Sequence, residues 1–144
     1  MAIIVRKAKK NDFSNIWVLL KQLFVKDKIS KVKTEKMFLD SLKNKDSIEL
    51  VLELKNQIIG YAAVKIRNDI QVQGKIGYLS ELIIEESFRG KGFGTKFLKK
   101  IATISKKMKC KELQFPSNFK RKKAHKFYKS LGFNKTAYFF WKKI

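Results

Sequence analysis

Apolar positions recur with two different periods along the chain, and the switches between them outline its elements. Ile3 to Arg6 alternates as a short first strand. Asp12 stands in the N-cap position ahead of Ile16, Val18, Leu19, Leu20, Leu23 and Phe24, which predict a helix of about four turns. Thr34 is expected to cap a second helix carrying Met37, Phe38 and Leu42, which fades over Lys43, Asn44, Lys45 and Asp46. Ile48 to Leu54 and Ile58 to Ile66 read as two strands joined by the polar turn Lys55-Asn56-Gln57. Arg67 to Gly77 is polar and rich in turn residues, so it reads as the connection to a buried strand, Tyr78 to Ile84.

Beyond a glycine-rich turn, Phe97, Leu98, Ile101, Ile104 and Met108 return to helical spacing, with lysines at 96, 99, 100, 106 and 107 on the other side. Glu112 to Phe115 is a short strand, Arg121 to Leu131 a helix stopped by Gly132, and Phe133 to Trp141 an aromatic final strand. The order βααβββαβαβ predicts an α/β (α+β) fold in one domain, residues 1–144. Its mixed sheet would be covered by helices on both faces, with a right-handed crossover at the glycine turn. At 144 residues the chain can bury one substantial core.

Composition changes the picture in one respect. The formal charge is +22, and 11 of the 12 acids precede Ser87, leaving Glu112 alone thereafter. Such a field suits polyanions: nucleic acid, an acidic membrane surface, or a ligand with several phosphates. Reading of DNA sequence through base edges is disfavoured, because arginine leads those contacts and only Arg6, Arg67, Arg89 and Arg121 are present. A contiguous lysine patch would mark a functional surface, whereas an even scatter would mark compositional bias. A single Cys110 and a single His125 leave no soft metal cluster and no internal disulfide, so no metal is expected. No apolar run approaches the roughly 20 residues of a membrane span, and the opening residues read as a strand rather than a leader, which makes the cytoplasm the expected compartment.

The turn Arg89-Gly90-Lys91-Gly92-Phe93-Gly94 carries the candidate chemistry. It lies where a buried strand becomes a helix. Glycines let the backbone approach a ligand, the first N–H groups of the helix point outward, and the helix dipole with Arg89 adds positive potential, so the junction suits a phosphate. A dinucleotide fingerprint would need an acid about 20 residues on within a βαβ unit, and a phosphate-binding loop of the Walker type would need Gly-Lys-Ser/Thr. Neither pattern is present. Glu81 is the one acid in Tyr78-Leu79-Ser80-Glu81-Leu82-Ile83-Ile84, where strict alternation would place it on the face of Leu79 and Ile83. A carboxylate in such a strand suits a general base, or else a lysine's ion-pair partner.

Arg89, Gly92 and Gly94 behind Leu82-Ile83-Ile84, followed by Ala124, Phe127-Tyr128 and Leu131-Gly132-Phe133, resemble the two signatures of the GCN5-related N-acetyltransferase (GNAT) superfamily over nearly the whole chain. The opening Ile4-Val5-Arg6-Lys7-Ala8 with Asp12 is similar as well. The resemblance implies a mostly antiparallel sheet of six to seven strands with four helices, and transfer of an acetyl group from acetyl-CoA to an amine. It further implies that backbone groups of Leu82, Ile83 and Ile84 hold the pantetheine arm. The diphosphate would rest on Arg89, Gly90, Lys91, Gly92, Phe93, Gly94 and Thr95. Glu81 would act as base, directly or through water, and Tyr128 as acid to the thiolate.

Where many members carry asparagine, three residues before Ala124, this chain has Arg121, with Asn118 a turn earlier; both are expected beside the cofactor. On the last helix Ala124, Phe127 and Leu131 would form the packing stripe with Tyr128 at its border. Ser117 to Tyr128 is similar to the branch with aminoalkylphosphonate and other small-amine acetyltransferases. A protein lysine or N-terminus is the alternative acceptor. A non-catalytic acyl-CoA sensor or a basic nucleic-acid module is the alternative of another class. Trp17, Trp141 and the run Tyr138-Phe139-Phe140 are expected in the core or in a homodimer contact, since family members often dimerise.

Overall fold

The computed structural model describes residues 2–117 and 120–144, and the chain divides into two compact units, one ending at Gln114 and the other running Phe115–Ile144. In the first, five strands lie side by side in chain order: β1 (Ile3–Lys7), β2 (Ser47–Leu54), β3 (Gln57–Asp69), β4 (Gly74–Ile84) and β5 (Cys110–Gln114). The first four pair antiparallel and β5 joins β4 in parallel. Helices α1 (Phe13–Leu23) and α2 (Lys31–Lys43) connect β1 to β2, and α3 (Phe93–Lys107) makes the crossover from β4 to β5. The second unit holds α4 (Lys122–Ser130).

The β2–β3 hairpin turns on Lys55 and Asn56, both left-handed at φ 50° and 64°, the two-residue arrangement that follows strand twist. One sheet face buries Val51, Tyr61, Ala63 and Ile83 beneath Phe13, Ile16, Leu19 and Leu20 of α1 and Phe38 of α2. Phe97 of α3 fills the other face next to Gly60, where an added Cβ would come within 3.1 Å of Leu52 and Ile84 and 3.2 Å of Phe97. Gly60 therefore sets how closely α3 approaches the sheet.

Several boundaries differ from the sequence reading. Ser30, not Thr34, caps α2: its hydroxyl accepts the Lys33 N–H at 3.2 Å, and the Thr34 hydroxyl turns back to the Ser30 carbonyl. Asp12 precedes α1 but makes no side-chain cap; the carboxylate instead takes Arg6 Nη1 at 2.8 Å, Arg6 Nη2 at 3.0 Å and the Lys9 N–H at 2.7 Å. An ion pair with several donors outcompetes a single capping bond. Much of the polar stretch 67–77 extends β3 and β4 as a second hairpin, because cross-strand pairing overrides weak local propensity.

The sheet has five strands, not six or seven, among the described residues. Phe133–Trp141 forms no strand. Its unit contains no described strand to pair with, and β-propensity expresses itself only against a neighbour. Four consecutive aromatics, Tyr138 to Trp141, also lack the alternation that would choose a buried face, and they stand exposed rather than in a core. Trp17 is half-buried against the core, its ring 6.3 Å from Phe13.

Candidate active site

Strand β4 is irregular where the chemistry was expected. Its register against β3 shifts between Ala63 and Val64, so that Glu81 opposes Ala63 and Leu79 opposes Val64, with Ser80 left over as a β-bulge. The extra residue reverses the alternation. Glu81 consequently shares the α1/α2 face with Ile83, Ala63 and Tyr61, while Leu79 faces the other way, correcting the strict alternation read from the sequence. The Ser80 hydroxyl lies within hydrogen-bond distance of both the Ala63 carbonyl and the Glu81 carboxylate, tying the bulge to the acid it aims. Glu81 is half-buried.

On its other edge β4 pairs with β5 only as far as Tyr78 opposite Gln114. From Leu79 to Ile84 that edge has no strand partner in the sheet. Leu82, Ile83 and Ile84 pair with β3 on one side only, so the backbone groups of this stretch that point to the other edge lie outside any ladder, the requirement for main-chain groups that bind an extended ligand. The chain leaves β4 at Glu85, whose N–H still donates to the Ile59 carbonyl at 2.7 Å. Arg89 folds back so that Nε donates to the Ile84 carbonyl at 2.9 Å, fastening the guanidinium to the strand end. Gln22 of α1 accepts the Glu86 N–H at 3.0 Å, which brings the end of α1 to the same corner.

The glycine turn follows. Gly90 and Gly92 have φ of 76° and 85°, conformations that residues with a Cβ rarely hold, and a Cβ on either would meet nothing within 4 Å. The left-handed geometry, not crowding, demands glycine there. Gly92 caps α3, and the first bond into the helix runs from the Lys96 N–H to the Gly92 carbonyl at 3.2 Å. Among the described residues, the N–H groups of residues 90–95 find no main-chain acceptor. Lys91 places its ammonium 5.6 Å from the Phe88 ring centre, and Phe88 packs edge-on against Phe93 at 6.1 Å. An open concave backbone, unspent donors and two cations suit a diphosphate.

Sequence reasoning missed a second acid on this face. Glu49 of β2 opposes Ala63, as Glu81 does from the opposite side, so the two carboxylates flank one small residue across three strands. Glu49 is buried; it accepts the Tyr61 hydroxyl at 2.7 Å and pairs with Lys65 at 3.5 Å. Burial pushes its carboxyl above the usual carboxylate range, opposed by Tyr61, Lys65 and Ser41, while repulsion from Glu81 adds to the rise. The signal was available: an acid inside Ile48-Glu49-Leu50-Val51-Leu52 is as anomalous as the one inside β4. Cys110 is a buried free thiol pushed up by burial, which fits a packing role.

Within the second unit, Tyr128 stands 4.9 Å from Phe115 and 6.4 Å from Phe133, edge-on to both. It is the centre of a small aromatic cluster, whereas Phe127, expected in the packing stripe, is 36% exposed. The return of the chain explains the exchange: the Phe133 N–H donates to the Tyr128 carbonyl at 3.0 Å, bringing Phe133 back over that side of the helix. Arg121 occupies the N-cap of α4 without a side-chain cap and is exposed; His125 is half-buried on the same helix. Asn118 lies outside the described residues. The first unit thus gathers Glu81, Leu82 to Ile84 and Arg89 to Thr95 at one end of β4, while Arg121 and Tyr128 belong to the second.

The acetyltransferase (GNAT) family model matches residues 13–133. The chain belongs to the GNAT acetyltransferase family. It is an acetyl-CoA-dependent N-acetyltransferase. Among relatives, it is 26% identical over 142 residues to the thialysine N-epsilon-acetyltransferase of Bos taurus, covering 90% of this chain and 83% of that one. Glucosamine-6-phosphate N-acetyltransferase from Arabidopsis thaliana shares the fold at TM-score 0.81 and 22% identity, covering 99% of each chain. An aminoglycoside N-acetyltransferase solved with CoA does so at TM-score 0.86 and 17% identity, over 99% of this chain and 95% of that one. Among the described residues no group of acids, histidine and cysteine is arranged to hold a metal ion, and no helix is long and apolar enough to cross a membrane.

Proposed function

We propose that this GNAT domain acetylates a primary amine of a small molecule by direct attack, with Glu81 as base and Tyr128 as acid. The observation that carries the reading is the bulge at Ser80, which turns Glu81 onto the α1/α2 face within the stretch of β4 that has lost its partner on one edge. A base and an exposed stretch of backbone then lie on consecutive residues. The likeness to a thialysine N-epsilon-acetyltransferase favours a small cationic amine over a protein.

Acetyl-CoA supplies the acetyl group in activated form, as a thioester. The N–H groups of residues 90–95, with Arg89 and Lys91, hold the diphosphate, and Leu82 to Ile84 hold the arm through main-chain bonds. A Glu81 carboxylate oxygen removes the proton that keeps the incoming ammonium from attacking, and Glu49 adds negative potential that draws a cation to this face. The Tyr128 hydroxyl supplies a proton to the departing thiolate.

Release of free thiol, followed with acetyl-CoA and a panel of small amines, tests the assignment. Tyr128→Phe and Glu81→Gln should each lower kcat about 100-fold or more while coenzyme affinity stays within a few-fold, the range in which a single acid or base contributes. Full turnover in either variant removes that residue from the mechanism. A peptide lysine outperforming every small amine would reassign the acceptor.

A further inference from the structure

We propose that the exposed face of α3 is a docking surface for the phosphate backbone of a nucleic acid, separate from the turn that takes the coenzyme. At 100° per residue Lys96, Lys99, Lys100, Lys106 and Lys107 fall within a sector of about 120°, opposite the buried Phe97, Leu98 and Ile101. All five lysines are exposed. They run along about 16 Å of helix axis at ~1.5 Å per residue.

Nothing nearby in sequence neutralises them. From Ser87 to Lys111 there is no acid, and none of these five lysines takes part in the ion pairs of the described residues, which Arg6 and Lys65 make elsewhere. Lysines 96 and 99, and 96 and 100, are like charges at helix-neighbour spacing, an arrangement that disfavours the helix. On α2, by contrast, Lys31, Lys33, Lys36 and Lys43 are interspersed with Glu35 and Asp40. The two helices carry lysine in similar proportion, and α3 differs in having no acid among its lysines. Uncompensated charge gathered in one sector is therefore what sets the α3 surface apart.

The chemistry of the ridge selects phosphate. One strand of a duplex carries a charge about every 3.4 Å, so a ridge of about 16 Å faces about five phosphates, as many as it has lysines. It holds no arginine or aromatic side chain, the residues that read base edges or anchor protein interfaces. Binding is therefore expected to be electrostatic and indifferent to sequence. Beside it, an open depression of about 350 Å³ runs between Lys100, Thr103, Ile104 and Lys107 of α3 and Ile3 to Val5 of β1, so two of the lysines border a concave surface.

Fluorescence anisotropy with a labelled oligouridylate of about 12 nucleotides, titrated from about 50 to about 200 mM salt, tests the proposal. The combined variant Lys99→Gln, Lys100→Gln, Lys106→Gln, Lys107→Gln should lower the slope of log affinity against log salt by about 3, at ~0.7 per lysine on a single strand. A control that removes the same charge elsewhere, at Lys26, Lys31, Lys33 and Lys36, should leave the slope unchanged. Equal slopes in the two variants, absence of binding by the parent protein, or stronger competition from polyglutamate than from unlabelled RNA of equal charge would each overturn it. Thiol release on the same samples reports acetyl transfer independently, and the α3 variant should retain it.

Discussion

Glu49 and Tyr61 offer a quantitative test of how this sheet carries charge in its interior. Tyr61→Phe deletes one hydroxyl at a site 4% exposed and leaves the Glu49 carboxylate, its side chain 3% exposed, without the donor at 2.7 Å. A hydrogen bond to a charged group contributes about 1.5–3 kcal/mol, and at this chain length about 3 °C of melting temperature accompanies each kcal/mol, so a fall of about 5–9 °C at neutral pH is expected. Glu49→Gln behaves differently. It keeps the volume and an oxygen that accepts from Tyr61, loses attraction to Lys65, and abolishes the cost of holding a charge in a dry site.

The sign of its pH dependence follows from the direction of the shift. The folded-state pKa of Glu49 is raised, chiefly by burial, so the protein binds that proton more tightly folded than unfolded. The associated stability is fully present below the unfolded glutamate value of about 4.3 and is lost as pH rises through the folded value. Glu49→Gln should therefore gain on the parent protein as pH climbs from about 4 towards neutrality, whereas Tyr61→Phe should lose most where Glu49 is ionised. Thermal unfolding followed by circular dichroism across that range reads both curves. A Glu49→Gln deficit that is constant with pH, or a Tyr61→Phe change below about 1 °C, would refute the reasoning.

Two further outcomes follow from the same kind of geometry. Gly92→Ala puts a Cβ at φ 85°, costing about 1–2 kcal/mol in the cradle, so coenzyme affinity measured by calorimetry should fall about tenfold. Asp12→Asn removes the charge and one of the two oxygens that accept two Arg6 bonds and one main-chain bond, and should cost about 1.5–3 kcal/mol at neutral pH in chemical denaturation. Arg6 holds the Asp12 carboxyl below its usual range, so this stability is present above the unfolded value of about 3.9 and disappears as pH falls through the lower folded one. The gap between Asp12→Asn and the parent should accordingly close in acid.

Local chemistry along the chain was enough to place the glycine turn, the β2–β3 hairpin and the helical faces of α1 and α3, because each rests on neighbours in sequence: a left-handed residue, a two-residue turn, a repeat of 3.6. It also marked Glu81 as anomalous. What it could not supply was the side of the sheet that Glu81 faces. One unpaired residue at Ser80 inverts the alternation, and bulges arise from pairing with β3, to which the β4 residues themselves carry no pointer. The pairing of Glu49 with Tyr61 and Lys65 was hidden for the same reason, since those partners meet only when β2 and β3 are in register.

The final aromatic stretch shows the converse. Phe133 to Trp141 has every preference for a strand and forms none, because a strand is a relation between two segments and the described residues of its own unit provide no second one. Residue preferences thus determined which pieces of this chain bend, coil or extend. Register, and the faces that follow from it, were decided only when distant segments came together, where burial of charge and satisfaction of backbone donors are settled jointly.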